Sequence, residues 1–230
     1  MVQSMAGGAH RTGHGGNPYR KQIHADGRVY GKYKVKPDRQ IPVEDLQAAL
    51  EGRQLSSGHR PKFVKALRDK SYLVLVFHTG ARKLEPCPVY KNGQLIYQGI
   101  RKEDLVLTDQ EIIFSIPAFK HGQRAGALRL RLDRPGVDLI VQQWQKTRKG
   151  KPVWNIGRGT AYRIVERALG VCPHWLRANF ITTMQQRLEG TPAEADRKIM
   201  AWTGQKRRET LDNYRIKKVE DITEISDVGL

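Results

Sequence analysis

The chain has 230 residues, enough for one large domain or two small ones with a well-buried core. Its 41 Lys and Arg against 23 Asp and Glu leave a net charge of +18, more than solubility needs, so a polyanionic partner is implied, nucleic acid by default, although an RNA-binding protein would look the same on this measure. Two cysteines, Cys87 and Cys172, are too few for a disulfide framework or a CxxC metal site, and no apolar run reaches a membrane span or the core of a signal peptide, which gives a soluble, intracellular protein as the expectation.

Residues 1–40 are rich in Gly, His, Lys and Arg, with sparse apolar residues and no sustained period, so little packed structure is expected there. Either a basic arm lying on phosphates or a solvated tail fits that composition. A short helix is expected from Pro42 to Glu51, where Val43, Leu46, Ala49 and Leu50 recur at helical spacing, and Leu55-Ser-Ser-Gly58 breaks it. These features set an N-terminal arm of 1–58, largely flexible, ahead of a domain expected over 59–216. Pro61 to His78 reads as a buried helix closed by Gly80; Tyr72 to Phe77 alone fits a strand equally, and length and flanking punctuation favour the helix. A glycine turn over Thr79-Gly80 then reopens into another helix, with Arg82 in or near its first turn.

Leu105–Leu107, Glu111–Ile116 and Ala127–Leu132 read as three short strands, the last two joined by a hairpin whose tip presents Lys120. From Pro135 a helix carries Val137, Ile140, Val141 and Trp144 on one core-facing stripe. A basic loop spans 146–151, and a helix follows from Thr160 to Leu169, ended by Gly170. The next helix opens on Pro173, which sets His174 and Arg177 on adjoining turns of one face and turns Leu176, Phe180, Met184 and Leu188 inward. Thr191-Pro-Ala-Glu194 is a capping box that starts another helix. After Gly204-Gln205 a short run ends in Tyr214, and Val219, Ile222, Ile225 and Val228 repeat every third place on an acidic background across a tail of 217–230. The fold class is therefore mainly α with a small antiparallel β-sheet (α+β).

Breaking a phosphodiester with a protein nucleophile needs an in-line attacking group, donors for the charge on the non-bridging oxygens, and a proton for the departing oxygen. Arginine suits the donor duty because its planar fork matches phosphate oxygens and stays charged. No clustered acidic motif of the metal-dependent nucleases is present, so a scheme with no metal and no cofactor is the more economical one.

Thr79-Gly-Ala-Arg82-Lys-Leu-Glu85, His174-Trp-Leu-Arg177, and Gly204 followed by Tyr214 together resemble, in order and spacing, the three boxes of the tyrosine recombinases, the phage-type integrases. The resemblance covers roughly 60–216 and implies that family's catalytic-domain fold. It implies that Arg82 and Arg177 grip the scissile phosphate, His174 assists in proton transfer and hydrogen bonding, Lys120 protonates the leaving 5'-oxygen, and Tyr214 attacks to give a 3'-phosphotyrosyl bond. Glu85 matches a supportive position, with no catalytic role carried onto it. Lys83, Lys206, Arg207 and Arg208 are read as DNA phosphate contacts. The resemblance further implies double-stranded DNA as partner, a homo-tetramer on DNA, DNA-associated localisation, and site-specific recombination or integration by a DNA strand transferase. In the family such tails dock onto a neighbouring subunit; packing of 217–230 on its own domain is the other possibility.

Two departures stand out. Gln205 occupies the place where the family usually has His or Trp, and glutamine donates a hydrogen bond but does not shuttle a proton. Family members usually carry a helical DNA-clamping domain of about a hundred residues before the catalytic one, and the N-terminal residues here do not look like it, so a catalytic fragment or a minimal recombinase is expected. The alternatives are relaxation of DNA in the manner of a type IB topoisomerase, and a catalytically silent DNA-binding relative.

Overall fold

The computed structural model describes residues 22–23, 29–30, 40–62, 66–114, 127–188, 190–205, 208 and 211. The chain divides into two compact units, Met1–Lys36 and Pro37–Leu230. In the first, β1 (Gln22–Ile23) and β2 (Val29–Tyr30) pair antiparallel, a two-residue ladder in a stretch where the composition led us to expect little packed structure.

The second unit begins with α1 (Val43–Glu51), which carries Glu44 and Asp45 in its first turn, where acidic groups suit the helix dipole, and stops at Gly52 in the left-handed region. Asp45 is buried because its carboxylate accepts both the backbone N–H and the hydroxyl of Ser56, each at 2.7 Å. Leu46, Ala48, Ala49 and Leu55 join the same hydrophobic core as the later helices, so packed structure extends N-terminal of residue 59.

At the centre lies α2 (Leu67–Thr79), with every residue from Ser71 to Phe77 buried. Helices α1, α3 (Val137–Lys146), α4 (Arg158–Leu169) and α5 (Pro173–Arg187) all pack against it. A helix enclosed this way needs no polar face, which is why Tyr72 to Phe77 reads as an unbroken apolar run. It starts at Leu67, later than the Pro61 expected from sequence. No helix reopens after Gly80: residues 83–86 form turns in which the N–H of Glu85 donates to the Arg82 carbonyl and that of Cys87 to the Leu84 carbonyl. Pro86 and Pro88 lack the N–H a helix would require and disfavour helical geometry in the residues before them.

Beyond those prolines β3 (Val89–Lys91) and β4 (Gln94–Tyr97) form a hairpin turned by Asn92 and Gly93, both at positive φ. Sequence reading did not assign these strands. β5 (Leu105–Leu107), β6 (Glu111–Phe114) and β7 (Leu128–Arg131) form the expected antiparallel sheet in the order β5-β6-β7. Leu105, Ile112, Phe114, Leu128 and Leu130 face the core, while Val106, Arg129 and Arg131 stand in solvent. The hairpin tip, with Lys120, lies outside the described residues.

α3 and α4 carry the expected apolar positions, and α4 ends on Gly170 in the left-handed region. On α5 the inward face is more polar than the expected stripe. Leu176 is buried, but so are Arg177, Asn179 and Thr182, whereas Phe180, Met184 and Leu188 are only half-buried. Asn179 is buried because its side chain both accepts from and donates to the backbone of Ile41. α6 (Pro192–Thr203) starts at the capping box, with the Thr191 hydroxyl accepting from the Glu194 N–H. Among the described residues no helix is long and apolar enough to cross a membrane.

Candidate active site

Two helices end alike. α2 closes on Thr79-Gly80 and α6 on Thr203-Gly204, with each glycine in the left-handed region and each threonine hydroxyl donating to the carbonyl four residues back at 2.7 Å. This construction turns the last carbonyls of both helices toward one point, and the side chain there is Arg177. Its Nη1 donates to the Gly80 carbonyl at 2.9 Å and its Nη2 to the Thr203 carbonyl at 2.8 Å, with the residue only 2% exposed. Helix C-termini carry partial negative charge, so a guanidinium met by two of them is stabilised where a buried cation would otherwise be costly. One side chain thereby ties together three stretches that are far apart in sequence.

Gly80 is obligatory on two counts. Its φ is +58°, and a Cβ there would stand 2.6 Å from Cδ1 of Phe180, the residue one turn beyond Arg177 on α5. The Phe180 ring also lies 6.3 Å from that of Trp202, so α5 covers the ends of both α2 and α6 with one aromatic group.

Arg82, two residues past Gly80, is held by Glu85. The Glu85 carboxylate accepts the Arg82 backbone N–H at 2.8 Å and its Nη1 at 2.7 Å, and Glu85 is 3% exposed. Glu85 is fixed in turn by its own carbonyl, which accepts the Tyr97 hydroxyl at 2.7 Å. This two-point grip sets the Arg82 guanidinium at the surface, where it remains 39% exposed.

His174 sits in the first turn of α5 with part of its surface in solvent. Burial of the rest of the ring, followed by the positive charges of Arg177 and then Arg82, lowers its pKa below the ordinary 6.5. Both arginines therefore act on a single imidazole. A neutral imidazole at neutral pH offers one acceptor and one donor nitrogen, which suits it to proton transfer.

Gln205 follows Gly204 and is buried at 8% exposure; its backbone N–H donates to the Met200 carbonyl, and its Oε1 has no partner among the described residues. Lys83 turns away from Arg82 toward α4, its Nζ 5.9 Å from the centre of the Tyr162 ring. Arg208 is engaged with protein: its Nε donates to Oδ2 of Asp196 at 2.6 Å, and Asp196 is 2% exposed. Lys120, Lys206, Arg207 and Tyr214 lie outside the described residues, as does the 217–230 tail. Sequence reasoning missed the Gly80 and Thr203 carbonyls and Asp196; the repeated Thr-Gly at two helix ends was the available signal for the first two.

No family model matches the sequence, and no curated protein does. Among solved structures, the backbone is similar to the XerH site-specific recombinase bound to difH substrate in a pre-cleavage complex, with a TM-score of 0.53, 14% identity and coverage of 89% of this chain and 59% of that one. It is similar in the same way to XerH on a palindromic difH substrate in a post-cleavage complex, with a TM-score of 0.54, 14% identity and coverage of 89% and 58%. The fold is that of a tyrosine recombinase catalytic domain. The chain spans less than two thirds of the length of those recombinases. Within this fold Arg82, His174 and Arg177 stand near one another at the ends of α2 and α6 and the start of α5.

Proposed function

We propose that the chain is a DNA strand transferase that cuts and rejoins double-stranded DNA at a specific site through a tyrosyl intermediate, without metal or ATP. The observation that carries this is the meeting of Arg82, His174 and Arg177, with Arg177 linking the ends of α2 and α6 and both arginines lowering the pKa of one imidazole. That is a preorganised cationic site of the kind a phosphorane-like transition state needs. The net charge of +18 fits a DNA partner.

In this mechanism Arg82, oriented by Glu85, and Arg177 stabilise the non-bridging oxygens of the scissile phosphate. The Tyr214 phenol oxygen attacks phosphorus, and neutral His174 takes part in moving its proton. The phosphorus bond to the 5'-oxygen breaks, Lys120 gives that oxygen a proton, and the 3'-phosphate remains on Tyr214. Attack by a 5'-hydroxyl of a partner strand reverses these steps and releases the tyrosine. Gln205 hydrogen-bonds a phosphate oxygen through its amide N–H, and Lys206 and Arg207 contact flanking phosphates. Exchange between duplexes calls for a tetramer on DNA, in which the 217–230 tail docks on a neighbouring subunit.

The test uses a library of nicked duplexes with randomised central bases, so that cleavage releases a short strand and traps the covalent adduct. Adduct stable to denaturation is expected with the wild-type chain, is lost in Tyr214→Phe, and falls by about a hundredfold or more in Arg82→Ala. Absence of wild-type adduct, or its persistence in Tyr214→Phe, refutes the proposal. Relaxation of supercoiled plasmid with no exchanged product would reassign the chemistry to a topoisomerase.

A further inference from the structure

Lys83 and Arg82 are consecutive yet serve different places. Arg82 is bound by Glu85 and acts on His174, whereas the Lys83 ammonium reaches the ring of Tyr162 on α4. Tyr162 is one turn beyond Arg158, which opens α4, so the two share a face of that helix. Arg158 is exposed and Tyr162 is 38% exposed. Burial, followed by the positive charge of Arg158, lowers the pKa of Lys83, with nearby Cys172 opposing, so the two cations are close enough to repel each other. Among the described residues neither has a carboxylate partner. Folds normally separate such a pair or set an acid between its members; here the aromatic face holds the ammonium in place against the repulsion.

The glycines on either side of Arg158 add a second observation. Neither Gly157 nor Gly159 has a positive φ, and neither would bring a Cβ within 4 Å of another group. Gly157 is the N-cap of α4, where glycine is well tolerated, but Gly159 lies in the first turn, where glycine with no such need is unfavourable by up to about 1 kcal/mol relative to alanine. Their effect is to leave the approach to Arg158 clear of side chains, which suits the close arrival of a backbone rather than a small diffusing ion.

We infer that Lys83 and Arg158, with the Tyr162 ring as their support, form a second phosphate-binding point that takes the DNA backbone phosphate flanking the one held by Arg82, His174 and Arg177. The inference rests on the proposed function for its partner and adds residues of α4 to it. An anion between Lys83 and Arg158 relieves their repulsion, so the pair is disposed to bind DNA without being part of the bond-breaking group. Two grips on consecutive phosphates also fix the direction of the strand across the site, which a single grip does not.

The experiment is equilibrium binding of the full chain to a labelled duplex of arbitrary sequence over a range of KCl concentrations. In Lys83→Ala/Arg158→Ala the slope of log affinity against log salt becomes shallower by about 0.9, the contribution of one phosphate, with weakening uniform across duplex sequences. Arg158→Gln alone, at an exposed position, shifts the slope in the same direction with unchanged thermal stability. Arg53→Ala, which removes an exposed cation paired with Glu51, leaves the slope as in the wild type. An unchanged slope in both site variants, or an equal change in Arg53→Ala, overturns the second phosphate point while leaving the proposed chemistry standing. A wild-type chain with no salt-dependent affinity for duplex DNA overturns both.

Discussion

Replacing Gly80 with alanine tests the junction at which the site is assembled. Two costs are separable. At φ +58° an alanine pays the left-handed penalty, roughly 1–2 kcal/mol. Its Cβ also meets Cδ1, Cγ and Cβ of Phe180 at 2.6, 2.8 and 3.0 Å, and because Phe180 is bounded by Trp202 the displacement costs about 1–3 kcal/mol as overpacking. A central total of about 3 kcal/mol lowers Tm by roughly 6–12 °C in a domain of this size. Thermal and denaturant unfolding of Gly80→Ala, Phe180→Ala and the double variant separate the terms. In the Phe180→Ala background the glycine substitution should cost only about 1–2 kcal/mol, the difference being the coupling between the two residues. A Gly80→Ala variant destabilised by less than about 1 kcal/mol, or one equally destabilised in both backgrounds, would refute the packing described. Because the Gly80 carbonyl accepts from Arg177, DNA cleavage should fall even at temperatures where the variant is fully folded.

Two further outcomes are expected. The His174 imidazole, followed by NMR, should titrate below pH 6.5, and its midpoint should rise in Arg82→Ala because one of the charges lowering it is gone. A folded pKa below the unfolded one means the unfolded chain binds the proton first, so stability is full above about pH 6.5 and declines as pH falls beneath it. His78 shifts in the same direction through burial and Arg134, with its bond to the Pro135 carbonyl opposing, so His174→Gln should remove only part of that decline; no change in the profile would contradict the shift. Asp196→Asn should loosen the segment after Gln205, because buried Asp196 anchors Arg208. Limited trypsin digestion should then cut after Arg208 faster than in the wild type, and an unchanged rate would dismiss the anchor.

The helices were legible where burial obeys periodicity. α1, α3, α4 and α6 have clear stripes or caps, and the capping box at Thr191 fixed the start of α6. The β3–β4 hairpin was signalled by Asn92-Gly93, a pair that favours the positive φ of tight hairpin turns, but Tyr90, Leu95 and Ile96 are all exposed and do not alternate as a half-buried strand should. The helix expected after Gly80 failed because local spacing gave no weight to Pro86 and Pro88. On α5 an apolar count could not anticipate that Arg177 and Asn179 face inward, since their burial depends on carbonyls of Gly80, Thr203 and Ile41 brought in by distant segments. The first two boxes marked Arg82, His174 and Arg177, which stand near one another, whereas Tyr214 of the third lies outside the described residues. Lys83 and Arg208 were read as DNA phosphate contacts. The first is set against Tyr162 and beside Arg158, the second is joined to Asp196, and neither partner is adjacent in sequence.

The central claim is that the cations gathered around Arg177 act on a phosphate attacked by a phenol. Its most direct test is mass spectrometry of the trapped protein–DNA adduct after exhaustive nuclease and trypsin digestion, which reads the residue that carries the nucleotide remnant. A 3'-linked nucleotide on Tyr214, and on no other residue, is the predicted result. A remnant on a serine, on a different tyrosine, or joined through its 5'-phosphate would contradict it.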